Sequence, residues 1–267
     1  IAYQTTGGLY VRSVGELSPP RLVVGSESAG VGPFFSPDGQ WVAYIANDGV
    51  RKLPIGGGTP TVVSPMPAVS ASWAADNTIL FAGADGIWRV PANGGAPTLL
   101  IRTAEGESMY GPQLLPGGEA VLFSVTTDQS PSRWTRARVV AQALTSGTRK
   151  TLADNGIEAR FLPSGHIVYV SGNRLWSMRF DARRLAVIGD ATPVLDNLDL
   201  PVGVRAAGAN YAVSDNGTLI YVPNQPRMRS LAWIRRDGAP GPTLPGISPA
   251  RYSDPRLSRD AIRALVT

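Results

Sequence analysis

Apolar and polar residues along this chain alternate in short runs rather than recurring at helical spacing. "WVAYIA" (Trp41 to Ala46), "TILFAG" (from Thr78), "AVLFSV" (from Ala120), "HIVYVS" (from His166) and "TLIYVP" (from Thr218) share a period of two. That period predicts β-strands with two unlike faces. No segment holds an apolar period of 3.6 across a window of about 11 residues, so the pattern predicts few helices or none. Gly7-Gly8, Asp48-Gly49, Asp85-Gly86 and Gly172-Asn173 follow strands of this kind. These residues tolerate the positive φ angles of two-residue hairpins, so each predicts a tight return into a third strand such as "VRKLPI", "IWRVPA" or "LWSMRF". A Gly-rich turn and a short fourth strand such as "PTVVS" or "PTLLI" complete the unit.

The unit repeats. The turn in "FSPDGQWVAY" at Phe35 returns as "WAADNTILF" at Trp73, "LLPGGEAVLF" at Leu114, "FLPSGHIVYV" at Phe161, "VSDNGTLIYV" at Val213 and "LSRDAIRALV" at Leu257. The turns fall at 36–39, 74–77, 115–118, 162–165, 214–217 and 258–261. A period of roughly 40 to 50 residues fits four short strands and their turns, one blade of a β-propeller. The fold expected is all-β: a six-bladed β-propeller of four-stranded antiparallel blades, forming a single domain over residues 1–267. The chain begins in a second strand and ends in one, so one blade is expected to be shared by the two termini, leaving no open sheet edge.

"FFSPDGQWVAYIA", "GIWRVPANGGAPTLL", "RFLPSGHIVYV" and "YAVSDNGTLIYV" resemble the WD-repeat-like propeller of the TolB type. They are most similar to the propeller region of bacterial serine/threonine protein kinases, along essentially the whole chain. The resemblance implies a non-catalytic module for protein or ligand recognition, the sensor or scaffold part of a larger kinase-like protein, and an extracytoplasmic location (periplasmic or cell surface). Its turn motifs mark fold better than function. The kinase's own signatures are not in this sequence: no Gly-rich loop with a downstream strand Lys, no His-Arg-Asp, no Asp-Phe-Gly. Nor is there a Gly-x-Ser-x-Gly elbow of the prolyl-oligopeptidase-like enzymes.

Composition supports this picture. Thirty Gly and 23 Pro in 267 residues, with 43% hydrophobic residues, suit many short ordered segments joined by tight turns. Without cysteine, disulfides and thiolate metal sites are excluded. No stretch approaches the ~18 apolar residues of a membrane span, so insertion by this segment is not expected. The net charge of +5 invites a nucleic-acid reading. But all of the 25 basic residues except Lys52 and Lys150 are Arg, spread along the chain rather than concentrated as phosphate binding requires. Nucleic acid is therefore not an expected partner.

Candidate chemistry is sparse. His166 is the only histidine, so a Ser-His-acid triad would have to use it, and its turn position speaks against that. The Gly56–Gly58 run lacks the Gly-Lys-Ser/Thr of a phosphate loop and aligns with third-to-fourth-strand turns. No catalytic residue and no cofactor is expected. One constellation stands out on the first strands. Four residues before each turn the units carry Gly32, Ser70, Gly111, Glu158, Asn210 and Asp254. Propeller geometry puts equivalent positions at one height around a channel, so Glu158, Asn210 and Asp254 form a candidate Ca2+ site, with oxygen ligands a hard cation prefers. This set is similar to the ligands of six-bladed lactonases and phosphotriesterases, which implies the alternative of a calcium-dependent hydrolase. Arg160 and Arg256, two residues on, would instead pair with Glu158 and Asp254 and neutralise them. Trp41, Trp73, Trp88, Trp176 and Trp233 fall at regular strand positions and are expected to pack between blades. Trp134, flanked by Arg133 and Arg136 in a long loop, is expected to meet a partner at the surface.

Overall fold

The computed structural model describes residues 1–15, 19–27, 30–130, 132–200, 209–224, 232–234, 237, 239–243, 246, 248, 256–258 and 264–265. They fall into two compact units, Ile1–Val222 and Pro223–Thr267.

The first unit is a series of antiparallel sheets in which neighbouring strands are consecutive in sequence. β1 (Ala2–Thr5), β2 (Gly8–Val11) and β3 (Arg21–Leu22) form a three-stranded sheet. Four complete sheets of four strands follow. They are β4 (Val31–Phe35), β5 (Trp41–Ala46), β6 (Gly49–Pro54) and β7 (Thr61–Ser64), then β8 (Ser70–Trp73), β9 (Thr78–Ala82), β10 (Gly86–Pro91) and β11 (Thr98–Arg102). The third comprises β12 (Ser108–Leu114), β13 (Ala120–Thr126), β14 (Arg138–Ala143) and β15 (Arg149–Ala153), and the fourth β16 (Ile157–Leu162), β17 (His166–Ser171), β18 (Arg174–Asp181) and β19 (Ala186–Leu195). A hairpin of β20 (Tyr211–Val213) and β21 (Leu219–Tyr221) closes the unit's strand list. In the second unit, β22 (Ala232–Ile234) pairs with β23 (Pro240–Thr243), and β24 (Arg256–Leu257) with β25 (Ala264–Leu265). Among the described residues the only helix is one 3₁₀ turn, Arg133–Arg136.

Five of the six repeat turns join the first and second strands of a sheet. They share one geometry: the fourth turn residue returns its N–H to the first residue's carbonyl, as in Gly39 to Ser36 (2.9 Å), Asn77 to Ala74 (3.0 Å), Gly118 to Leu115 (3.0 Å), Gly165 to Leu162 (2.9 Å) and Gly217 to Ser214 (2.9 Å). That fourth residue has positive φ in every case, 60° to 86°, which explains four Gly and one Asn there. The sixth turn, 258–261, lies outside the described residues except for Ser258.

Successive sheets of the first unit stack face to face. On β13, Val121, Phe123 and Val125 pack towards β9–β11, while Ala120 and Leu122 pack towards β16–β18. On β17, Ile167 and Tyr169 face β13 and β14, and Val168 and Val170 face β20 and β21. The expectation of unlike faces is corrected here: the second strands are apolar on both faces because each is sandwiched between two neighbours. Trp73 and Trp88 pack against the cluster that joins the β4–β7 and β8–β11 sheets, and Trp176 against the one between β13–β14 and β16–β18. The Trp233 side chain lies outside the described set.

Candidate functional site

The first strands carry the most unusual geometry. β4, β12 and β16 each break register with their second strand at the same place, between Val31 and Phe34, Tyr110 and Gln113, and Ile157 and Arg160. Inside each break is one residue of the candidate column in the left-handed region: Gly32 (φ 63°), Gly111 (φ 63°) and Glu158 (φ 52°). A bulge re-aims the side chain it carries. Glycine takes this conformation freely, whereas a residue with a Cβ gives up roughly 1–2 kcal/mol. Glu158 therefore occupies, at an energetic cost, a position that two other sheets give to glycine.

Its carboxylate is paired with Arg160. Arg160 Nη2 donates to Glu158 Oε2 at 3.1 Å, and Arg160 Nη1 reaches the carbonyls of Ala159 (3.2 Å) and Gly111 (3.4 Å). The side chains of Glu158 and Arg160 are 13% and 31% exposed, so the pair is mostly withdrawn from water. Tyr211 donates its hydroxyl to the Glu158 carbonyl, and the Glu158 charge also acts on the buried Tyr110 hydroxyl. Burial opposes the Arg160 charge, but Glu158 and the two tyrosines together hold its pKa above the ordinary guanidinium value. Burial, with the Glu158 charge in support, also raises the pKa values of both Tyr110 and Tyr211.

This has a sign that can be tested. As pH rises past the ordinary tyrosine value of 10.0, the unfolded chain loses these phenolic protons while the folded chain keeps them. The unfolded state is then favoured, so stability is expected to fall progressively above pH 10 and to fall less in the Tyr110→Phe, Tyr211→Phe double variant. Urea midpoints measured across alkaline pH check this; equal slopes for both proteins would contradict it.

The other column members are also committed. Ser70 Oγ accepts the Gly111 N–H at 2.7 Å, and Asn210 Nδ2 donates to Asp199 Oδ2 at 2.6 Å. Asp254 lies outside the described residues, as does the Arg256 side chain. The structure thus brings Glu158 to Arg160, and Asn210 to Asp199. Among the described residues no three His, Cys, Asp or Glu side chains gather as a metal cluster.

Two features had no counterpart in the sequence reading. Side chains of one first strand bond the backbone of the next: Ser72 Oγ donates to Pro112 O at 2.5 Å, and the Gln113 amide both donates to Phe161 O (3.1 Å) and accepts from Phe161 N (2.7 Å). The available signal was a polar residue on a first strand, two positions before the turn. The second feature is Lys52 on β6. It is 7% exposed, with its Nζ 4.5 Å from the Trp41 ring centre, 5.8 Å from that of Trp73, and 3.0 Å from Asn93 Oδ1.

Trp134 differs from its expected surface placement. It is only 7% exposed, on the 3₁₀ turn, packed with Ala137, Ile157 and Tyr110, whose ring centre is 5.4 Å away. The aromatic ring anchors the loop inward, while Arg136, 77% exposed, faces solvent 3.5 Å from Asp128. His166 Nδ1 sits 3.2 Å from both Ser164 Oγ and Ser164 O, beside a hollow of about 320 Å³ whose described lining contains no acidic residue.

The sequence matches no protein-family model and no curated protein. Solved structures do resemble it. A TolB-type protein from Agrobacterium tumefaciens shares 20% identity over 73% of this chain and 76% of its own, with a TM-score of 0.58. Regucalcin, a calcium-binding protein from the same species, shares 19% over 90% and 82%, with a TM-score of 0.54. A gluconolactonase from Xanthomonas campestris shares 15% over 92% and 84%, with a TM-score of 0.55. At these identities the likeness establishes fold: the protein is all-β, with propeller sheets of the TolB type. No helix among the described residues is long and apolar enough to cross a membrane.

Proposed function

We propose that this chain is a recognition module, a β-propeller that binds a protein or small-molecule ligand without acting on it chemically. One observation carries the reading. Glu158, the sole carboxylate that the described column offers, is held by Arg160 and so is not poised for a substrate or an ion. In this reading the fold has six blades, in keeping with the six repeat turns of the sequence. The propeller serves as the sensor or scaffold part of a larger bacterial protein resembling a serine/threonine kinase, in an extracytoplasmic setting. Arg133 and Arg136 supply partner contacts from the loop that Trp134 anchors. A kinase signature in the flanking reading frame tests the first point, and its absence would sink it.

A second reading, a calcium-dependent hydrolase of the lactonase or phosphotriesterase type, is favoured by the left-handed Glu158 and by the likeness to calcium-binding regucalcin and to a gluconolactonase. With Glu158, Asn210 and Asp254 as ligands, it requires Arg160 to release Glu158, whereas the bond from Asn210 to Asp199 uses Nδ2 and not the Oδ1 a cation would take. Thermal midpoints with calcium and with a chelator separate the two readings. Calcium binding only to the folded state would stabilise it by about 2.7 kcal/mol at a hundredfold excess over Kd. The recognition reading expects no shift, and a clear rise with calcium would replace it by the hydrolase.

A further inference from the structure

Lys52 is a nearly buried ammonium with no carboxylate bonded to it among the described residues. It lies across the seam between the β4–β7 and β8–β11 sheets, over the faces of Trp41 and Trp73. Burial pushes its pKa down, while the aromatic faces favour the cation. Among the described residues its hydrogen-bond acceptor is the side-chain carbonyl of Asn93 at 3.0 Å. Asn93 is exposed, sits in the turn after β10, and precedes Gly94.

An Asn-Gly step can rearrange without any enzyme. The glycine amide nitrogen, losing its proton to solvent, attacks the asparagine side-chain carbonyl carbon. Negative charge collects on the carbonyl oxygen, then the C–N bond to the side-chain amide breaks and ammonia departs with a proton from solvent. Water opens the resulting succinimide to aspartate or isoaspartate. The slow point is the charged tetrahedral stage, and a cation held on that oxygen stabilises it as an oxyanion hole would.

We propose that Asn93 is a self-modifying site: Lys52 polarises its side-chain carbonyl, Gly94 closes the ring, and the carboxylate produced becomes the ion-pair partner that Lys52 lacks. Two other Asn-Gly steps serve as controls inside the same molecule, Asn155-Gly156 and Asn216-Gly217. The Gly94 and Gly217 N–H groups both close local turns, to Pro91 O (2.9 Å) and Ser214 O (2.9 Å), whereas Gly156 reaches Ala137 O (2.7 Å) far along the chain. The Gly94 and Gly217 nitrogens are thus hydrogen-bonded in the same way, which makes Asn216 the matched control. The carbonyls differ: Asn216 Oδ1 accepts from neutral groups, the Ser214 hydroxyl and Thr218, whereas Asn93 Oδ1 faces a cation.

The test is peptide mapping by mass spectrometry of the full chain during incubation at mildly alkaline pH. Asn93 is expected to convert on the order of tenfold faster than Asn155 or Asn216, a small part of what a fully positioned acid supplies. Lys52→Arg should retain part of the excess and Lys52→Met should remove it. Asn93→Asp should raise the melting midpoint, because it installs the product carboxylate without the reaction. Conversion of Asn93 no faster than that of the other two in the unaltered protein overturns the proposal, whatever the Lys52 variants do. A melting midpoint unchanged or lowered in Asn93→Asp overturns the pairing of the product with Lys52.

Discussion

Replacing Arg160 by Met is expected to destabilise the first unit by about 3 kcal/mol, at the lower end of the range for breaking a buried ion pair because solvent reaches part of it. The substitution strips Glu158 of its counter-charge and frees the carbonyls of Gly111 and Ala159. What remains is a mostly buried carboxylate without its counter-charge, fixed in a left-handed backbone. The double variant Glu158→Gly, Arg160→Met should recover most of the loss. It removes the stranded charge and also the roughly 1–2 kcal/mol of backbone strain, making this bulge resemble those at Gly32 and Gly111. Urea unfolding of all three proteins, read as midpoints at unchanged slope, decides it. A double variant as unstable as the single one would show that the bulge does not need Glu158 to be paired.

Replacing Gln113 by Ala is expected to cost about 2 kcal/mol, since two backbone groups of Phe161 lose their partner in a half-buried seam. Here one side-chain amide acts as a strand would, accepting from an N–H and donating to a C=O of the same residue. Gln113→Glu separates the halves of that role. The carboxylate still accepts from Phe161 N but now opposes Phe161 O, so it should fall below the unaltered protein without matching the unsupported Ala variant at neutral pH. Hydrogen exchange at Phe161 offers a local readout: protection lost in Ala and kept in Glu. Protection unchanged in the Ala variant would contradict the assignment.

Much of the architecture was legible because the turns must reverse the chain in four residues. Only Gly and Asn enter the left-handed region cheaply, so Gly39, Asn77, Gly118, Gly165 and Gly217 announce themselves at repeat spacing. Alternation located the strands but not their surroundings. "AVLFSV" reads as a strand with two unlike faces, yet neighbouring sheets bury both. The Glu158–Arg160 pair was anticipated from their spacing, and its ties to Tyr110 and Tyr211 were not, because those residues approach from other sheets. Trp134 was misplaced for a related reason: a polar loop reads as surface, but its one aromatic turns inward onto Tyr110. Lys52 was passed over as one cation in a basic chain, and only the structure shows tryptophan faces from two sheets around it.

The seams between first strands have a consequence for how the sheets are ordered. Turns and cores are close to interchangeable from one repeat to the next, but the ties are not: serines meet Gly111 and Pro112, a glutamine meets Phe161, and a tyrosine meets Glu158. Three successive seams are thus tied by different side chains reaching across to the backbone of the neighbouring first strand. A chain with the β8–β11 and β12–β15 segments exchanged would keep every turn signal and the same composition while placing Gln113 beside a different first strand. In a molecule built by repetition, the sequence of the parts is written in the few residues that do not repeat.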